Sequence, residues 1–237
     1  MTDPEWDMTE TEWMECTEPE LMAYFLGDDL SPRKLRLFGC AQVRGVWDVF
    51  EKDALRQATE VAERFADGLA TKKELQSACK LAKSAYEGVG DIIADHGAMF
   101  VEGICLPSPW VKMGTGSSGG IGAVAAEAWS NDDKPWHVAH EEATTLHCQL
   151  LRDIAGNPFH PVTFDPSWRT TAVVSLAKSI YENRNMPVGT FDNASLAVLA
   201  DASEEAGCDV VNMLEHLRQP GDHVRGCWVV DLILGIS

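Results

Sequence analysis

The sequence predicts an all-α fold, and three observations carry that reading. Helix-start signals recur along the chain, among them Thr9 with Glu12, Thr17 with Glu20, Ser31 before Pro32, and Thr71 with Glu74. Apolar residues return at helical spacing, as in Val61, Phe65 and Leu69. Alternating strand patterns are almost absent, and no repeat period emerges that would mark a solenoid. The expectation is about eight to ten helices, with short loops that make neighbours antiparallel. All 237 residues are read as one domain, 1–237.

Taken in order, a capped turn at Thr9 leads to a short helix with Pro19 in its first turn and Gly27 as its stop. Ser31-Pro32 opens a longer helix whose face carries Leu35, Phe38, Gln42 and Val46. DALRQATEVAERFADG makes the next and stops at Gly68. Thr71 restarts helix through KKELQSACKLAKSAYEGVGDIIADHGAMF, whose glycines at 88, 90 and 97 each cost about 1 kcal/mol against Ala. Residues 104–134 break the pattern: ICLPSPWVKMGTGSSGGIG holds two prolines and five glycines and reads as a surface insert, with a short helix around Ala123 to Trp129. Pro135 starts a strong helix that Gly156 ends. NPFHPVTFDPSW, with three prolines, is an extended strap that packs Phe159, Val162, Phe164 and Trp168 across helices. Helix resumes through TTAVVSLAKSIYENRN, breaks at Met186-Pro187, restarts at Asp192 or Asn193, and continues as SLAVLADASEEAG and CDVVNMLEHLRQPG. HVRGCWVVDLILG is read as the final helix.

Composition narrows the function classes. Lys plus Arg is 19 against 37 Asp plus Glu, a formal charge of −18. That argues against a general binder of nucleic acid or anionic membrane, since both require excess cations facing phosphate. The N-terminus has neither the basic nor the apolar region of a secretory signal, and no apolar run approaches a membrane span. Seven widely spaced cysteines, an odd count with no C-x-x-C, fit reduced thiols in a cytoplasmic protein.

Seven blocks carry a resemblance: EWMECTEPELMAYFL, SPRKLRLFGCAQVRGVW, ATEVAERFADGLAT, LLRDIAGNPFHPVTFDPSW, VVSLAKSIYENR, LADASEEAGC and HLRQPGDHVRGCWVVDLILG. In these the chain resembles a large paralogous family of uncharacterised bacterial proteins abundant in planctomycetes. The likeness leaves out roughly residues 85 to 140, where the family commonly carries an alanine-rich helical stretch. It implies no catalytic residue or cofactor. Where relatives often carry a cysteine cluster after RKLRLF, this chain has Gly39, Cys40, Ala41 and Gln42, and Leu217 stands where many have a cysteine.

Four constellations could carry chemistry. His137, His140, Glu141 and His147 lie at spacings that return to one side of a helix, and two imidazoles with a carboxylate suit a divalent metal ion. TGSSGGIG, residues 115–122, has the letters of a dinucleotide-binding turn but follows PSPWVKM instead of a strand, so it reads as a glycine-serine loop. His223, Cys227 and Asp231 fall at i, i+4 and i+8, a stripe that admits a thiol enzyme at Cys227 or a structural ion pair of Asp231 with Arg225, or with Arg33 or Arg36 of the RKLRLF helix. Residues 1 to 20 hold eight carboxylates and no Lys or Arg, so Glu10 and Glu12 with Trp6 and Trp13 form a candidate docking arm.

Together these give a cytoplasmic, non-enzymatic interaction or regulatory module without a required cofactor. It recognises a protein partner, a basic one if the acidic arm makes the contact. The first rival is a metal-dependent hydrolase or metal-binding protein on the His137 helix. The second is the thiol enzyme at Cys227.

Overall fold

The computed structural model describes residues 7–50, 53–86, 92–106, 109 and 120–236. It is all-α, with twelve helices among the described residues instead of eight to ten. Part of the excess arises at 71–105, which forms two helices where the sequence reads one. The chain divides into two compact units, Met1–Leu151 and Arg152–Ser237, a division the sequence reading did not draw.

The first unit contains α1 (Glu10–Glu15), α2 (Pro19–Leu26), α3 (Pro32–Gly45), α4 (Asp53–Ala66), α5 (Lys72–Tyr86), α6 (Ile92–Cys105), α7 (Ile121–Trp129) and most of α8 (Trp136–Ala155). The capping signals at Thr9, Ser31 and Thr71 form as read, but the one at Thr17 does not: α2 starts at Pro19 with Glu18 in the N-cap position and no side-chain cap. Glu12 N–H donates to Thr9 Oγ1 while Thr9 N–H donates to Glu12 Oε2, and Thr71 and Glu74 repeat the arrangement. Ser31 caps α3 by accepting from Lys34 N–H, with Pro32 in the first turn. Helix α3 is the centre of this unit: every residue from Leu35 to Arg44 is buried, and α4, α6 and α7 pack against it. Its two buried arginines are satisfied internally. Arg36 donates to the carbonyls of Ile104 and Leu106, and Arg44 forms a two-pronged pair with Glu63.

Within the expected insert 104–134, the short helix read around Ala123 to Trp129 forms as α7, and the described residues 106, 109, 120 and 130–134 are not helical. Ile104 and Cys105 end α6, and α7 buries Ile121 to Ala126. Residues 107, 108 and 110–119, including most of TGSSGGIG, lie outside the described residues.

The second unit takes Arg152–Ala155 from α8 and adds α9 (Thr171–Glu182), α10 (Asn193–Glu205), α11 (Val211–Arg218) and α12 (Trp228–Leu234). Thr170 caps α9 and Asp192 caps α10, each accepting a backbone N–H three residues on. The apolar core gathers Val173, Ala177 and Ile180 of α9, Leu196 and Leu199 of α10, Met213 and Leu217 of α11, and Val229, Val230 and Ile233 of α12. The proline-rich strap packs as expected at three of its four named residues; the fourth, Phe159, is half-buried and is not part of this core. Phe164 is buried, Val162 and Trp168 lie against the core, and Trp168 meets Phe164 edge-on at 5.4 Å. Arg169 donates to the carbonyls of Leu232 and Ile233, closing the end of α12.

The final helix departs from the sequence reading. HVRGCWVVDLILG is not one helix: α12 begins only at Trp228, and Cys227 is its N-cap. Gly226 adopts φ +92, in the left-handed region, and turns the chain just before that cap. No helix among the described residues is long and apolar enough to cross a membrane.

Candidate metal centre

Four side chains converge in the second unit: Asp153, His216, His223 and Cys227. Asp153 comes from the last turn of α8, just before Gly156 stops that helix. His216 lies in the last turn of α11. His223 and Cys227 come from the irregular connector between α11 and α12. One potential ligand atom from each lies within 4.8 Å of every other. Three of the four residues are buried to 5 % exposure or less, and the His216 side chain is 16 % exposed.

Hydrogen bonds organise the cluster around Asp153. His223 Nδ1 lies 2.7 Å and His216 Nε2 3.1 Å from Asp153 Oδ1. Val224 N–H donates to Oδ2 at 2.9 Å. His216 Nε2 also lies 3.3 Å from Cys227 Sγ. The outer nitrogen of His223, Nε2, donates to the Gln219 carbonyl at 3.1 Å. The His216 ring meets His223 edge-on at 4.7 Å and lies 5.2 Å from Trp228.

The electrostatics follow from burial and these contacts. Burial pushes the Asp153 carboxyl up, but hydrogen bonds from His216 and His223 and their charge overcome it and hold it well below the usual carboxylate range. His223 is pulled down by burial and raised more strongly by Asp153 and the Gln219 carbonyl, for a net increase. Burial drives the Cys227 thiol well up, and the Asp153 charge adds to that; backbone N–H groups of Val230 and Val229 act against it.

This arrangement argues against the thiol enzyme. A catalytic histidine uses one ring nitrogen for the nucleophile and the other for the carboxylate. His216 reaches both Cys227 and Asp153 through the same nitrogen, and the raised thiol is the opposite of an activated one. The expected stripe does not form either, because His223 and Cys227 precede α12. Asp231 is buried on α12, and the Arg225 guanidinium lies over the Tyr181 ring at 5.0 Å.

The other sequence candidates lie in the first unit. On α8, His137 and Glu141 are exposed, His140 stacks on Trp136 at 4.8 Å, and His147 is buried. The helix turns His147 inward and leaves His137 and Glu141 outward, and among the described residues the only group of three or more convergent ligands is the one around Asp153. In the acidic arm, Glu12 is occupied by its capping box and Glu10 is half-buried. Trp13 corrects an expectation: it is fully buried and packs near Phe25, so it anchors α1 and is no surface knob. Trp6 lies outside the described residues.

The sequence reading set Cys227 and His223 beside Asp231; the structure brings them together with Asp153 and His216, which that reading missed. The usable signal was a lone aspartate in the apolar tail LLRDIAG and a histidine in the last turn of an amphipathic helix. No protein-family model, curated protein or solved structure matches the chain.

Proposed function

We propose that the Arg152–Ser237 unit binds one thiophilic divalent transition-metal ion, of the zinc class, through Asp153, His216, His223 and Cys227. The observation that carries this reading is the convergence of one thiol, two imidazoles and one carboxylate on a common point. Ligand atoms around a tetrahedral zinc ion stand about 3.3–3.8 Å apart. The contacts of 2.7, 3.1 and 3.3 Å need little expansion to reach that spacing. A sulfur with two nitrogens favours zinc or cobalt over magnesium or calcium, which prefer all-oxygen sets.

The outer contacts support the same reading. A ligating histidine usually donates its other N–H to a carbonyl or carboxylate, as His223 Nε2 does to Gln219. Val224 N–H fixes the second oxygen of Asp153 in the same way. One proton on His216 Nε2 serves Asp153 and Cys227 poorly together, whereas an ion between the groups serves all four. A reducing compartment such as the cytoplasm suits this role, since Cys227 must stay reduced to ligate as its thiolate. The interaction reading ranks second. With Trp13 in the core it retains the acidic surface but loses one of its two anchors.

Elemental analysis of the full chain, expressed with zinc and purified without a tag, tests the proposal. The expected result is about one equivalent per chain in the wild type, and far less in Cys227→Ser and Asp153→Asn. Equal metal content in all three would place any ion elsewhere and overturn the reading.

A further inference from the structure

We infer that this ion is a structural staple, closed to substrate, and that its loading controls whether the connector between α11 and α12 stays folded. The inference rests on the metal reading above and adds the ion's role.

The ligand count comes first. Catalytic zinc sites keep a coordination position for water or substrate, usually by having three protein ligands, whereas structural sites use four. Here four side chains converge, and three of them are buried.

The origin of the ligands comes second. Asp153 lies 63 residues from His216 and 70 from His223 along the chain. An ion held by all of them ties the end of α8 to α11 and to the connector. A cross-link between segments so far apart restricts the unfolded chain more than a local one does.

The connector itself comes third. Between Arg218 and Trp228 it has no helix, and Gln219 to Asp222 are exposed. Besides the burial of Val224 and Cys227, it is held by polar contacts: Val224 N–H on Asp153, the His223 side chain on Asp153, and Phe191 N–H on the His223 carbonyl. A buried polar cluster is weak support by itself, because desolvation offsets its attractions. Metal binding supplies free energy that becomes folding free energy for the segment bearing the ligands.

Limited trypsin digestion of the full chain tests this, with cleavage at Arg218 and Arg225 followed in free zinc and after a zinc-selective chelator. Bound zinc is measured in parallel. With free zinc at about a hundred times its Kd, cleavage at these two sites is expected to slow about 100-fold relative to the chelated chain, and added zinc should restore protection. Cleavage at Arg56 and Arg64 of α4 serves as the internal reference. If the chain binds one equivalent but Arg218 and Arg225 are cut equally fast in both conditions, the staple is wrong and the metal reading stands. If no zinc binds, the metal reading fails and the staple with it.

Discussion

Each unit buries a carboxylate, and the two do opposite things. In the first unit Glu63 receives Arg44 at 2.6 and 2.9 Å, and the guanidinium lies 4.6 Å from the Trp47 ring. In the second, Asp153 receives two imidazoles and a backbone N–H, with a thiol alongside. Both carboxylates are almost fully buried. The difference lies in the partners. Arginine is always charged and has no lone pair to offer, so the Glu63 site is complete as an ion pair. Histidine and cysteine each expose a lone pair once a proton leaves, so the Asp153 site can exchange protons for a metal ion. A buried carboxylate therefore says little about function until its neighbours are named.

The comparison can be broken from either side. Arg44→Ala leaves Glu63 buried and uncompensated, and should cost about 3–5 kcal/mol in denaturant unfolding while leaving zinc content unchanged. Asp153→Asn keeps the side-chain outline but removes the charge. It should abolish the zinc-dependent part of the stability, about 2.7 kcal/mol when free zinc is a hundred times its Kd, seen as a melt that no longer responds to chelator.

A pair of glycines sharpens the contrast at smaller scale. Gly68 and Gly156 both adopt positive φ, at +72 and +76. A Cβ at Gly68 meets nothing within 4 Å, while one at Gly156 meets the Trp228 ring at 3.1 Å. Gly68→Ala should cost about 1–2 kcal/mol of backbone strain. Gly156→Ala should cost more, because Trp228 must also shift, and thermal melts of the two variants would rank them.

The smallest effect concerns acid. Glu74 is held below its ordinary range by the Thr71 backbone N–H and then its hydroxyl; Asp192 is held low by the Ser195 hydroxyl and then its backbone N–H. A depressed carboxyl contributes stability above its unfolded-chain value and loses it as pH falls through the folded value. Glu74→Gln and Asp192→Asn should therefore reduce stability at neutral pH and slightly flatten its loss on acidification, as read from melts across the acid range.

The fold was largely legible because its punctuation is local. Thr9, Ser31, Thr71, Thr170 and Asp192 sit next to the backbone groups they cap, and Gly156 ends its helix where the sequence says it should. The site was only half legible because its geometry is not local. Cys227 and His223 stand four apart and imitate a helical stripe, so Asp231 looked like their acid. The turn at Gly226 breaks that stripe, and the acid that meets them lies 70 residues earlier than His223. The His137 set failed as a cluster for the opposite reason: its spacing is local, but α8 buries one side and exposes the other.

Cobalt(II) titration of the full chain under reducing conditions tests the central claim most directly. A thiolate bound to cobalt gives a near-ultraviolet charge-transfer band, and a tetrahedral site gives strong visible bands. Both are expected to saturate at one equivalent, to vanish when zinc is added, and to lose the thiolate band in Cys227→Ser. Saturating cobalt that produces no thiolate band in the wild-type chain would contradict the account.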